Sequence, residues 1–380
     1  MGHNRGAIKC DDSNSKSVLI SISSLQQGGA ETQAILWAIN LKNRGLSTHL
    51  VSLFPGPLEE VLVKNGVAYT ILARKPRFAL EKPLVFLRSL WKLNKLLNDL
   101  QPQKVVAFLY IETLQVSLLR VFTRKRYSLY LGRRADFGYG DQSFLRRQFL
   151  RQGYRKSESV FSNSISNFPA AFEDGVNPSK IRLIENYLRP EIFENSLEKL
   201  IPRNEQSEIR FINVASLSPV KNQTLAIDLF KSLEQDKRRP HYVLDIYGEG
   251  NIRKELQSQI GRSEAIRLLG HFKNPWKYAD DYDIYIQTSH SEGSSNALWE
   301  AAASGLPILS TAVGDIEEIR NVAPNSVFIA ESKEEFLRMI LWITEQLQSI
   351  KQIARTNARI IRNLKSPERI TDDIQRMLFV

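Results

Sequence analysis

Two carboxylates, Glu292 and Glu300, stand with seven residues between them. The first lies in a polar stretch, 289–295, that holds one glycine. The second lies in 296–303, a run rich in the helix formers Ala, Leu and Glu. A carboxylate on a stretch otherwise apolar or small costs free energy unless something pairs with it, such as a sugar hydroxyl. Ser294, Ser295 and Asn296 supply cap-type residues at the helix start. Free backbone N–H groups there, with the helix dipole, suit an anion such as phosphate. Lys221, just ahead of a helix expected over 224–233, would add a point charge for the same kind of ligand. Together these residue types suit a ligand bearing both hydroxyls and phosphate. Taken singly, each feature is common on protein surfaces.

The elements that must position them are legible. Residues 283–288 read as a strand, 289–295 as a loop and 296–303 as a helix. Gly305 sits where a helix C-terminal glycine belongs, and Pro307 forbids continuation. Residues 306–311 read as a second buried strand, and Gly314 opens a further loop. This is a βαβ unit, whose ligand sites lie at the carboxyl ends of the strands. The first half repeats the order: strand 18–23, a Gly28-Gly29 turn, helix 32–43, Gly45, strand 48–53. Further strands are expected at 68–73, 104–109, 127–131 and 160–164, with a helix over 83–100. In the second half strands are expected at 210–215, 243–248 and 265–270, and helices over 332–378. Such alternation implies an α/β chain with parallel sheets covered on both sides. The Gly28-Gly29 turn is not the dinucleotide fingerprint, which needs a third spaced glycine.

Glu292-Gly293-Ser294-Ser295-Asn296-Ala297-Leu298-Trp299-Glu300-Ala301, followed by Gly305-Leu306-Pro307, Gly314 and Glu317-Glu318, resembles the E-x7-E signature of glycosyltransferase family 4. The resemblance implies a GT-B fold of two Rossmann-like domains facing across a cleft, and a retaining, nucleotide-sugar-dependent enzyme. It implies that Glu292 lies against the donor sugar and Glu300 binds the ribose hydroxyls. Gly293, Ser294, Ser295 and Asn296 would hold the diphosphate. Gly28-Gly29-Ala30-Glu31 is similar to the family's N-terminal glycine loop, and Gly248 with Gly250 to the loop bordering the base. The family grips the diphosphate with an Arg and a Lys five residues apart; Lys221 matches the Lys, while Ser216 stands at the Arg position. The family's histidine in the first domain is also missing. Its loop here reads Leu131-Gly132-Arg133-Arg134-Ala135-Asp136, where Arg134 could stabilise phosphate charge but not act as a base. Lys180 to Asn186 resembles the segment before the interdomain crossing, but Tyr187-Leu188-Arg189 replaces the family's Gly-Val-Asp.

The expected organisation is a disordered lead-in over 1–17, an acceptor-binding domain over 18–195 and a linker over 196–208. A nucleotide-sugar domain over 209–364 and a last helix over 365–380, able to cross back to the first domain, complete it. Residues 1–190 hold 28 Lys and Arg against 14 Asp and Glu, leaving 24 against 27 in the remainder. The positive excess of +11 therefore sits wholly in the first half, which suggests an anionic partner there: a membrane surface or a lipid diphosphate. Nucleic acid is not expected, since no motif accompanies the charge. Residues 143–156 are amphipathic, with Phe144, Leu145, Phe149 and Leu150 opposite a row of arginines. They read first as a surface helix with its apolar face in the core, and second as a membrane-resting helix.

The single cysteine excludes a disulfide framework, and no apolar run approaches the ~20 residues of a membrane span. A cytoplasmic location is expected, with the inner membrane face as an open alternative. Asp281-Tyr282-Asp283 leads into the amino end of its strand and reads as a solvated turn rather than a metal–diphosphate site. The five histidines lack ligand spacing, so no metal or other cofactor is expected. The expected activity is sugar transfer from a UDP-sugar to a glycan or lipid-linked acceptor, in cell-surface polysaccharide or glycolipid synthesis. Two competing readings are a sugar-nucleotide epimerase that hydrolyses its donor and a non-catalytic sugar-nucleotide-binding subunit.

Overall fold

A computed structural model describes residues 16–76, 78–122, 127–134, 144–197, 208–235, 241–272 and 274–380. The chain divides into two compact units: Met1–Tyr187 with Pro367–Val380, and Leu188–Ser366.

The first unit carries seven strands: β1 (Ser17–Ser24), β2 (Ser47–Phe54), β3 (Ala68–Ile71), β4 (Lys104–Ala107), β5 (Ser128–Gly132), β6 (Ser159–Ser162) and β7 (Ile181–Leu183). They form one sheet in the order β3-β2-β1-β4-β5-β6-β7, every pairing parallel. Strand β1 is buried on both faces because side chains alternate sides. Ile20 and Ile22 point into one apolar cluster, with Trp37, Ile370 and Ile374 from helices Gly29–Asn43 and Pro367–Phe379. Leu19 points into another, with Leu93, Val116 and Leu150 from helices Lys82–Leu100, Tyr110–Phe122 and Phe144–Lys156. The last helix therefore belongs to the first unit: Tyr130 donates to the Leu378 carbonyl at 3.0 Å, and the Tyr187 and Thr371 hydroxyls are 2.8 Å apart. Tyr187, where the family pattern is broken, is also held through its backbone by the Gln33 side chain at 2.8 and 2.9 Å.

Helix Tyr110–Phe122 was not legible in the sequence. Its Glu112, Thr113, Gln115 and Ser117 are polar yet buried, which breaks the apolar period. Helix Phe144–Lys156 forms where an amphipathic one is expected. Leu150 and Tyr154 are buried in the core with Phe149 packed beside them, while Arg147, Arg151, Arg155 and Lys156 are exposed. This part of its apolar face is thus spent on the core; the side chains of Phe144, Leu145 and Arg146, and all of Ser143, lie outside the described residues. The lead-in expected over 1–17 lies outside them up to residue 15, and Ser17 already pairs with Ser47 in the sheet.

The second unit carries β8 (Ile209–Val214), β9 (Tyr242–Tyr247), β10 (Ile266–Gly270), β11 (Ile284–Gln287), β12 (Ile308–Ser310) and β13 (Val327–Ile329). Their order is β10-β9-β8-β11-β12-β13, again all parallel. The strand order reverses between β8 and β11, so these two are neighbours at a switch point. Residues 188–195 pack with this unit: Asn195 donates to the Trp276 carbonyl, and Arg362 to the Asn195 carbonyl, each at 2.8 Å. The division thus falls at Tyr187 and Leu188, ahead of the expected 195; of the expected linker, 198–207 lie outside the described residues.

One reading of the acidic triplet needs correction. Asp283 is at the amino end of β11, but its side chain is only 3% exposed and is no solvated turn. It accepts from Lys351 Nζ at 2.8 Å and from the Arg210 amide at 2.9 Å, a buried ion pair under the sheet. Among the described residues no group of three or more His, Cys, Asp or Glu is placed to hold a metal ion, and no helix is long and apolar enough to cross a membrane.

Candidate functional site

In the second unit the loops after β8, β9, β11 and β12 all leave the carboxyl edge of the sheet. They are laced together. The Leu217 amide donates to the Glu249 carbonyl at 3.0 Å, Thr288 Oγ1 to the Asn222 carbonyl at 2.8 Å, and Thr311 Oγ1 to the Ser289 carbonyl at 2.7 Å. Gly248 lets the β9 loop approach: a Cβ there would lie 1.8 Å from the Ala215 carbonyl oxygen, and φ is +152°. Gly314, at φ +58°, brings the β12 loop against Glu292, with its absent Cβ 2.9 Å from the Glu292 Cβ.

The Lys221 and Glu292 side chains meet, Nζ to Oε2 at 2.5 Å. Lys221 ends a 3-10 turn, Pro219–Lys221, and Asn222 in the left-handed region turns the chain into helix Gln223–Glu234. The second oxygen of Glu292 accepts from Ser289 Oγ at 2.8 Å. Ser216, on the same β8 loop, is exposed, and its carbonyl takes the Gln223 side chain at 2.9 Å. His290, exposed, contributes its backbone amide to the Val220 carbonyl at 2.8 Å.

Helix Asn296–Ala303 forms over the expected residues. Ser295 is its N-cap, accepting from the Leu298 amide at 3.4 Å and donating to Gln287 Oε1 at 3.0 Å. Its hydroxyl is therefore occupied in shaping the helix start. Ser294 Oγ donates to Asp315 Oδ2 at 2.5 Å, and Trp299 Nε1 reaches the same oxygen at 2.9 Å. Gly293 and Asn296 complete the turn beside them. Glu300 is buried, and the chain itself supplies the partners its position demands: Arg189 Nε at 3.0 Å from Oε1 and Trp276 Nε1 at 2.6 Å from Oε2. Burial pushes its carboxyl above the usual range, opposed by the Arg189 charge and the Trp276 hydrogen bond. Thus Lys221, Glu292, Gly293, Ser294, Ser295, Asn296, Glu300, Ser216 and Gly248 share one edge of one sheet. Arg189, Trp276, Ser289 and Asp315 were missed; only the need of a buried Glu300 for a partner hinted at two of them.

Gly28, Gly29 and Arg134 belong to the first unit, at the carboxyl ends of β1 and β5. Gly28 is the N-cap of helix Gly29–Asn43, and its carbonyl accepts from the Thr32 amide at 3.0 Å. Arg133 and Arg134 separate in role. Arg133 is wholly buried, with Nε 2.7 Å from Asp174 Oδ2. Arg134 lies over the Phe108 ring at 5.0 Å and donates Nη2 to Asn186 Oδ1, while its buried Nη1 has no hydrogen-bond partner among the described residues. Burial pushes its guanidinium down to about 9. Residues 135–138 of that loop lie outside the described residues. Glu112, also missed, starts helix Tyr110–Phe122 and is wholly buried; burial pushes its carboxyl up to about 7, with Ser23 and Glu31 as polar neighbours.

Residues 197–362 match the family model described as glycosyl transferases group 1, a span that lies within the second unit. The UDP-N-acetylglucosamine–peptide N-acetylglucosaminyltransferase GtfA subunit of Streptococcus agalactiae is 45% identical over 80 residues, 20% of this chain and 16% of that protein. The N-acetylgalactosamine-N,N'-diacetylbacillosaminyl-diphospho-undecaprenol 4-alpha-N-acetylgalactosaminyltransferase of Campylobacter jejuni is 27% identical over 162 residues, 42% of each. The matches thus span less than half the length of these relatives. Among solved structures, Anabaena Alr3699/HepE in complex with UDP-glucose aligns with a TM-score of 0.79 at 18% identity, over 95% of this chain and 99% of that one. The fold is thereby GT-B, two parallel-sheet Rossmann-like halves, and the matches agree on one class of protein, the glycosyltransferases.

Proposed function

We propose that the protein is a family 4 glycosyltransferase that moves a sugar from a UDP-sugar to a glycan or lipid-linked acceptor, with retention of anomeric configuration and without a metal. The observation that carries it is the Lys221–Glu292 pair beside the start of helix Asn296–Ala303, at the switch point of the second sheet. Lys221 supplies positive charge for a leaving diphosphate, joined by the helix-start amides. Glu292 offers a carboxylate to sugar hydroxyls. Both its oxygens already accept hydrogen bonds, which suits an electrostatic and positioning role better than that of a nucleophile. In the reaction the bond from the anomeric carbon to the diphosphate oxygen breaks. The acceptor hydroxyl oxygen bonds to that carbon, and its proton passes to the departing phosphate oxygen. Glu300, already anchored by Arg189 and Trp276, is proposed to take the ribose hydroxyls. The lipid-diphosphate acceptor named for the Campylobacter relative supports a role in cell-surface polysaccharide or glycolipid synthesis, with a cytoplasmic chain working at the inner membrane face.

The test is the thermal shift of the purified chain across UDP- and GDP-sugars. A ligand at about a hundred times its dissociation constant adds about 2.7 kcal/mol. Stabilisation by one UDP-sugar, lost in Glu300→Ala, supports the reading. No shift with any nucleotide or nucleotide sugar removes it. Stabilisation accompanied by donor hydrolysis without transfer favours the hydrolase alternative.

A further inference from the structure

Among the described residues eight large apolar side chains are more than half exposed, and five of them fall within 78–91: Phe78 (69%), Leu80 (89%), Leu84 (57%), Leu87 (60%) and Trp91 (66%). Leu84, Leu87 and Trp91 follow helical spacing on helix Lys82–Leu100 and make one outward stripe. The opposite side of the same helix, Ser89, Leu93 and Leu97, is buried against the first sheet. A surface helix needs one apolar face for its core, so the second face calls for a second partner. Arg88 and Lys95 are exposed and fall beside the stripe by the helical period, and Arg74, Lys75 and Lys82 are exposed within the same segment; the acids of 74–100 are the half-buried Glu81 and the exposed Asp99, near the far end of the helix. The same helical layer of the sheet also carries the exposed Arg147, Arg151, Arg155 and Lys156.

We infer that this face, the 78–81 turn with the outward stripe of helix Lys82–Leu100, docks on an anionic lipid bilayer. Leu and Phe would enter the acyl boundary, Trp91 would lie at the headgroup level, and the cations would face lipid phosphates. The charge decides between occupants: an uncharged or basic protein surface would leave Arg88, Lys95 and the other exposed cations of the segment without counter-charge. Helix Phe144–Lys156, whose second reading from sequence was a membrane-resting helix, has Leu150 and Tyr154 in the core and is not part of this face. The inference is independent of the transferase reading and survives its failure.

The experiment is co-sedimentation of the full chain with vesicles of phosphatidylcholine alone or mixed with phosphatidylglycerol, at low and high salt. Binding to the mixed vesicles only, weakened by salt, is expected. The triple variant Leu84→Ser, Leu87→Ser, Trp91→Ser should bind at least about tenfold more weakly at unchanged melting temperature. If the triple variant does not fold, Arg88→Glu with Lys95→Glu carries the test, since both sites are exposed; it should lose binding and its salt dependence. Absence of binding to the mixed vesicles overturns the inference, as does equal binding by both variants. A dimer that the triple variant abolishes, in a chain that ignores vesicles, also overturns it, in favour of a second copy as occupant.

Discussion

Lys221 Nζ lies 2.5 Å from Glu292 Oε2, although 71 residues separate them along the chain. They meet because β8 and β11 are neighbours at the switch point, so the loops that follow these strands share one edge. The Glu292 side chain is 8% exposed and that of Lys221 is 23% exposed, so the pair is sheltered yet open on the lysine side. An incoming anion could draw on the lysine without stripping the carboxylate of its Ser289 hydrogen bond.

Replacing Lys221 with Met should therefore cost more in catalysis than in stability. Sugar transfer should fall by roughly a hundredfold to a thousandfold, the scale for losing one charge-stabilising donor. Stability in urea should fall by only about 1 kcal/mol, because the lysine is partly solvated. Steady-state kinetics beside a urea titration measures both. Equal transfer rates in the variant and the parent would remove Lys221 from the reaction.

Glu300 presents the opposite balance. Glu300→Ala leaves Trp276 Nε1 buried without its acceptor and Arg189 without its carboxylate. A lost partner of this kind costs about 1–3 kcal/mol. The variant should melt earlier and should also bind UDP at least tenfold more weakly by calorimetry. A variant destabilised but unchanged in UDP affinity would make Glu300 a purely structural residue.

Gly248→Ala tests the close approach of two loops. The added methyl would meet the Ala215 carbonyl oxygen at 1.8 Å, from a backbone at φ +152° that alanine rarely adopts. The loop must move, and a destabilisation above about 2 kcal/mol is expected by chemical denaturation. Wild-type stability would mean that the two loops are not held together.

Glu112 should set a pH dependence. Burial raises its carboxyl from 4.5 to about 7 in the folded chain, so the folded state holds a proton that the unfolded state releases between these values. Stability should therefore fall as pH rises through this window and level off above it. Glu112→Gln, neutral throughout, should remove that fall and gain on the order of 3 kcal/mol over the parent at pH 8, with little difference at pH 4. Urea titrations at the two pH values decide it; a difference that does not change with pH would show that Glu112 titrates normally.

The neighbourhoods that the sequence could not supply all join distant residues. Glu300 announced its need for a partner, since a carboxylate in an apolar helix is costly. Nothing local pointed to Arg189, 111 residues away. Arg133 and Arg134 are adjacent, and only Arg134 had an expected role. One is tied to Asp174 by the packing of helix Phe168–Glu173, and the other keeps one buried nitrogen without a hydrogen-bond partner among the described residues. Asp283 looked solvated because the acidic triplet leads into the amino end of its strand, and Lys351, on a helix 68 residues later, makes it an interior ion pair.

What the sequence determined by itself is local: the alternation of strand and helix, a cap within Ser294–Asn296, the bounds of helix Asn296–Ala303 and the left-handed Gly305 that ends it. These depend on backbone preferences and on periods within a few residues, which the chain states directly. Tertiary structure alone decided that Lys221 faces Glu292, that Glu300 is held by Arg189 and Trp276, and that one helix of the first unit shows an apolar stripe to solvent. A pairing between groups far apart in sequence depends on strand order, and an apolar period records that a face is buried or bare only after its neighbours have packed.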